Sequence, residues 1–175
     1  MIRALLVVLA FLLLTSCGTV SVSDYTADKP PLDLKEYFNG KVDGWGTIQD
    51  RSGKVTKRMY VEMTCTWVGD TGTLDERFSY ADGTRETRIW TIRKNGNRYI
   101  GTAGDVVGEA VGEAAGNALR WRYVLDAKKD GGGTIELDMD DWMWMLDGKT
   151  MMNRTTFSKF GVRFGEVSFF FRKRD

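Results

Sequence analysis

The stretch Leu74-Asp75-Glu76-Arg77-Phe78-Ser79-Tyr80-Ala81-Asp82-Gly83-Thr84-Arg85-Glu86-Thr87-Arg88-Ile89-Trp90 decides the fold. Asp82-Gly83 is a hairpin signal, and the loop length chosen there fixes the register of both flanking strands. A two-residue loop sets Leu74, Glu76, Phe78 and Tyr80 opposite Thr91, Ile89, Thr87 and Arg85. A three-residue loop, with Gly83 in the left-handed conformation of a bulge, aligns them instead with Ile92, Trp90 and Arg88. The second register gathers the apolar residues on one face, and register follows the buried pattern. It also sets Glu76 directly opposite Arg88 on that inner face. Two readings of this pair stay open: a structural ion pair, tolerable inside only because it is paired, or a polar anchor for a ligand head group.

The same period-two logic extends along the chain. From Val55 to Trp67, Met59, Val61, Met63, Cys65 and Trp67 share one face, against Arg58, Glu62, Thr64 and Thr66. Leu119, Trp121, Tyr123 and Leu125 oppose Arg120, Arg122 and Asp126, so both arginines are expected on the solvated side. Ten strands follow, at 42–50, 54–67, 72–81, 85–94, 97–103, 105–114, 117–127, 133–146, 149–158 and 161–172, separated by glycine- and asparagine-rich turns. Short loops between consecutive strands predict an antiparallel up-and-down meander, and eight to ten such strands close into a lipocalin- or calycin-like barrel because closure removes the exposed edges. The expected fold is therefore all-β, with a single barrel domain over 34–175 and one helical turn near Asp33–Phe38.

One strand has little side-chain volume. Gly104, Gly108, Gly112 and Gly116 recur every four residues. A helix carrying them would lose about 1 kcal/mol per interior glycine. Read as a strand, Val106, Gly108, Ala110, Gly112 and Ala114 form one face. Turned inward, this face either leaves room or receives a neighbouring ring, since strand glycines mark close approaches. Glycines that let the wall bend are the alternative.

The N-terminus assigns an address. Met1-Ile2-Arg3, the apolar run Ala4–Leu14 and small Thr15-Ser16 have the layout of a secretory signal. The run is shorter than the roughly 20 residues that span a bilayer. Leu14-Thr15-Ser16-Cys17 resembles the bacterial lipobox, which implies cleavage before Cys17 and acylation of its thiol; Gly18, in place of an inner-membrane aspartate, implies an outer membrane facing the periplasm. Residues 17–33 are read as the lipidated cysteine and a flexible polar tether that lifts the body off the bilayer. Removal of Arg3 leaves equal numbers of basic and acidic side chains, and Cys65 without a partner is expected to be buried.

Composition excludes several chemistries. The 175 residues carry 25 Lys+Arg, 24 Asp+Glu and no histidine. Histidine-based nucleophile activation and histidine metal ligation are therefore absent, and the charge balance argues against a nucleic-acid partner. Asp138 and Asp140 share a face, but the stretch lacks a calcium-loop pattern and outer acidic residues are common. Gly131-Gly132-Gly133 has no following helix and is read as a loop. No cofactor, metal or catalytic residue is assigned. Arg58-Met59-Tyr60 is similar to the Arg-x-Tyr carboxylate anchor of intracellular fatty-acid-binding proteins, but its parity turns both polar residues outward.

A family resemblance runs nearly the whole length. The lipobox, Pro30-Pro31-Leu32-Asp33-Leu34, Gly44-Trp45-Gly46, Gln49-Asp50-Arg51-Ser52-Gly53, Gly116-Asn117-Ala118-Leu119-Arg120-Trp121, Asp141-Trp142-Met143, Asn153-Arg154 and Ser158-Lys159-Phe160-Gly161 occur in order. Together they resemble the bacterial lipoprotein family known as domain of unknown function 3833. The resemblance implies a membrane-anchored envelope lipoprotein with a lipocalin-like barrel and carries no established activity. The reading favoured here is a binding module for a hydrophobic ligand such as a fatty acid or other lipid. Its cavity is expected to be lined by Phe78, Tyr80, Trp90, Trp121 and Tyr123 beside Gly108 and Gly112, with Glu76 and Arg88 as its polar feature. The rivals are a structural or interaction lipoprotein with a filled barrel, and an enzyme acting on lipids.

Overall fold

Alternation and turn chemistry act together to build the wall. In the computed structural model, which describes residues 19–129 and 131–175, the strands are β1 (Gly40–Asp50), β2 (Val55–Val68), β3 (Thr71–Tyr80), β4 (Arg85–Asn95), β5 (Arg98–Thr102), β6 (Val106–Ala115), β7 (Ala118–Lys128), β8 (Thr134–Met145), β9 (Thr150–Lys159) and β10 (Val162–Lys173). Each boundary falls within one or two residues of its expected place. Every neighbour in sequence is a neighbour in space, and β1 pairs with β10, so the meander closes into a barrel with no terminal edge strand. The β3–β4 hairpin takes the three-residue loop: Gly83 has φ +87°, Leu74 faces Trp90, and Glu76 faces Arg88.

The closing seam explains Gly44-Trp45-Gly46. Both glycines face inward opposite Phe171 and Phe169, whose rings stack at 5.1 Å and 12°. A Cβ on Gly44 would meet the Phe171 ring at 2.7 Å, and one on Gly46 the Phe169 ring at 2.6 Å. The two rings can therefore lie flat on the β1 backbone only because no side chain stands there. Trp45, between them, is exposed.

One end of the barrel is plugged. Asp33 caps the single-turn helix α1 (Leu34–Tyr37) by accepting a hydrogen bond from the Lys35 N–H. Leu34, Tyr37 and Phe38 are buried in the core. The Trp67 indole donates to the Phe38 carbonyl at 2.7 Å, and the Tyr37 hydroxyl donates to the Lys149 carbonyl at 3.1 Å. Lys94 forms an ion pair with Asp33 that fastens the plug to β4.

The tether expected over 17–33 is corrected for its described part. Ser21 caps a 3-10 turn, Val22–Tyr25. Val22 packs with Ala118 and Trp142 on the outside of the barrel, and Tyr25 contacts the stacked rings of Trp142 and Trp144. The Leu32 N–H donates to the Gly116 carbonyl at 2.8 Å. A polar composition hid two apolar contacts on the outer wall, at Val22 and Tyr25, and the burial of Leu32 in the main core. Cys17 and the apolar run before it lie outside the described residues.

Candidate functional site

Ten strands enclose more space than their inward side chains fill. A cavity of about 840 Å3 runs from the plug toward the opposite end. Its floor includes Leu34, Phe38, Met63, Leu74, Ile92 and Phe171, and its rim lies at the β3–β4 and β7–β8 loops. Phe78, Tyr80, Trp90, Trp121, Tyr123, Glu76 and Arg88 all line it. Trp90 meets Trp121 and Tyr123 edge-on, at 5.8 and 5.5 Å between ring centres.

The two glycines of the expected lining are corrected. The pairing of β6 with β7 slips between Val107 and Val111, and Gly108 there has φ +71° with nothing near its Cβ position. This bulge breaks the parity on which its inward placement rested, and Gly108 is exposed. Gly112 does face inward, but a Cβ there would meet the Trp121 ring at 2.2 Å. It therefore receives a ring rather than opening a space. Gly101 of β5 does the same, with Trp121 at 2.7 Å from its Cβ position.

A polar belt crosses the cavity. Arg88 donates from Nε and Nη2 to both carboxylate oxygens of Asp105 (3.0 and 2.8 Å), and its Nη1 stands 3.8 Å from Glu76 Oε2. Its guanidinium lies 5.7 Å over the Phe78 ring. On the far wall Asp141, only 7% exposed, accepts from the Asn153 amide, which also donates to the Trp142 carbonyl at 3.0 Å. Burial pushes the Glu76 carboxyl up to about 7, with Arg88 opposing, and pushes Asp141 up to about 6 against its bonds from Asn153 and Thr155. Burial also raises the Tyr123 phenol, and the Asp141 charge adds to that.

Asp105, Asp141, Asn153 and Thr155 were not among the expected site residues. Asp141 was legible in principle, since it shares parity with Met139, Met143 and Met145, but the neighbouring Asp138 and Asp140 drew the run outward. Asp140 is indeed outside, paired with Arg120 at 2.6 Å. Arg122 also approaches it, at 3.7 Å. Cys65 is buried and its thiol is pushed up to about 12, the state of an inert core residue. Tyr60 points outward, where its hydroxyl donates to Asp43.

A closed antiparallel meander with a plugged end and an internal chamber defines a lipocalin-like barrel protein. The chain belongs to the family described as protein of unknown function DUF3833, whose model matches residues 11–173. No curated protein matches it. Among solved structures it is similar to a protein of unknown function from the DUF3598 family of Nostoc punctiforme (10% identity, TM-score 0.57), covering 91% of this chain and 53% of that one, so that it spans about half of its length. It is also similar to the S-type phycobiliprotein lyase CPES from Guillardia theta (6% identity, 82% and 94% covered, TM-score 0.58). A third likeness is to Rv2717c from M. tuberculosis (14% identity, 85% and 99% covered, TM-score 0.57). At such identities the likeness is one of fold.

Proposed function

We propose that this barrel holds a hydrophobic or amphipathic small molecule, lipid-like in character, as a binding protein of the bacterial envelope rather than as a catalyst. The observation that carries the reading is the 840 Å3 chamber with apolar floor and walls and one polar belt. Small-molecule sites have volumes of about 300–1,000 Å3 and combine apolar walls with a few polar groups. A filled barrel, the structural rival, is disfavoured by the same space.

The anchor belongs to this proposal. Cys17 carries the lipid, and the protein faces the periplasm from the outer membrane. Because the Val22–Tyr25 turn packs on the outer wall, the folded body begins within about five residues of Cys17. The barrel is thus held against the bilayer surface, close to any amphiphile that leaves it.

The test is native mass spectrometry of residues 19–175 produced in the periplasm of a bacterium with two membranes, followed by solvent extraction. The body carries every strand, the plug and all the ion pairs described above. A co-purifying amphiphile in the wild type, reduced when Met143→Trp narrows the chamber, supports the reading. An empty barrel that also takes up no added amphiphile overturns it.

A further inference from the structure

The polar belt has an imbalance that selects its ligand. Among the described residues the cavity is lined by six carboxylates and four cations: Asp82, Glu86 and Asp126 with Lys57, Lys128 and Lys129 toward the rim, and Glu76, Asp105 and Asp141 with Arg88 in the belt. Arg88 is already committed: Nε and Nη2 both serve Asp105. Its remaining approach to Glu76, at 3.8 Å, is too long for a hydrogen bond. Among the described residues Glu76 accepts no hydrogen bond, although its side chain is only 12% exposed. Asp141, more deeply buried still, is served by neutral donors alone, the Asn153 amide and the Thr155 hydroxyl. The belt thus offers acceptors and negative charge in excess.

We propose that the chamber's ligand is an amphipathic amine, its ammonium seated between Glu76 and Asp141 and its hydrocarbon body against the aromatic walls. This inference rests on the reading of the chamber as an amphiphile site and names the head group that site takes. A free carboxylate would enter a site with surplus negative charge and find its arginine occupied. A purely apolar ligand would strip water from Glu76 and Asp141 and give nothing in return, which is costly for buried charged groups. A cation supplies the missing donors to both carboxylates. It also gains from the faces of Phe78, Trp90 and Tyr123, because aromatic faces attract ammonium groups. The upward shifts of Glu76 and Asp141 are consistent with this, since both carboxylates lack a full countercharge.

The experiment is calorimetric titration of residues 19–175, stripped of lipid, with dodecylamine, dodecanol and dodecanoate at neutral pH and below micelle-forming concentrations. The expected order places dodecylamine about tenfold or more tighter than dodecanol, with dodecanoate weakest. Glu76→Gln and Asp141→Asn are each expected to cut the amine-to-alcohol affinity ratio about tenfold. The wild-type ranking needs no variant, so it stands even where one of them folds poorly. Dodecanoate binding more tightly than dodecylamine, or dodecanol equalling it, overturns the cationic inference and leaves the chamber reading intact. Failure of all three to bind overturns both.

Discussion

Arg88 clasps both carboxylate oxygens of Asp105 through its Nε and Nη2 where the ladder between β4 and β5 stops. On its β5 side, β4 pairs only through Thr91–Asn95, because β5 is five residues long, so the half of β4 carrying Arg88 has no partner strand there. Asp105 is held ready by the Asp126 N–H, which donates to its carbonyl at 2.8 Å. Farther toward the rim, Lys128 reaches Glu86 at 3.2 Å across the same gap. Side-chain ion pairs there do what a backbone ladder does elsewhere.

Breaking the clasp has two expected effects. Asp105→Asn removes the charge that occupies Arg88 and lowers stability by about 1–3 kcal/mol, the worth of hydrogen bonds to a charged group. It also frees the guanidinium toward the chamber, so dodecanoate affinity rises about tenfold relative to the wild type. Calorimetry on the variant checks the second effect. Unchanged dodecanoate binding in a folded variant contradicts this role for Arg88.

The pH dependence of stability follows from the belt. Glu76 moves from an ordinary 4.5 to about 7, and Asp141 from 3.8 to about 6. Between the ordinary and raised values the folded state holds protons that the unfolded chain has released. Stability therefore falls as pH rises through this window, by roughly 1.4 kcal/mol per pH unit for each group at most. Asp33, Asp43 and Asp140 are lowered, so their contribution is lost only in more acidic solution, below their ordinary value. The groups around Glu76 and Asp141 are Arg88 on β4, Asp105 before β6, Tyr123 on β7 and Asn153 and Thr155 on β9. The ligand-free body is expected to melt higher near pH 5 than near pH 8, by several degrees. Glu76→Gln flattens that slope. A melting temperature that climbs steadily from about pH 5 to about pH 8 contradicts the assignment.

Much of this was readable in advance, for physical reasons. A strand with one wet face must alternate, and a glycine at φ +87° after Asp82 sets a three-residue loop, so the Glu76–Arg88 pairing followed from packing alone. Parity fails where a bulge inserts a residue, which is why Gly108 came out on the wrong side. Asp141 has the parity opposite to Asp138 and Asp140 and faces inward. Asp105 was expected to open a strand over 105–114, but β6 begins at Val106, so the alternation of that strand does not set its direction. The docking of Val22 and Tyr25 depends on two apolar side chains meeting Ala118, Trp142 and Trp144, about a hundred residues later, and local composition carries no trace of that.

Gly112 gives a packing test. Gly112→Ala sets a methyl group against the Trp121 ring, which Gly101 also restrains. Overpacking of this kind costs about 1–3 kcal/mol, a fall in Tm of roughly 2–10 °C. Trp121→Leu in the same chain is expected to restore part of the loss. A neutral Gly112→Ala in thermal melts contradicts the close approach.

The anchor is tested by fractionation. Cys17→Ser is expected to move the protein from the membrane to the soluble periplasmic fraction while leaving its Tm unchanged. Retention in the membrane fraction contradicts lipidation at that cysteine.

The central claim is that the barrel interior is an accessible chamber with a single occupant. Its most direct measurement is a titration of residues 19–175 with an apolar fluorophore that brightens when desolvated, in the wild type and in Met143→Trp. The account predicts saturable binding of one molecule per barrel, displaced by dodecylamine and weakened by the tryptophan. Binding that fails to saturate, or that dodecylamine does not displace, contradicts it.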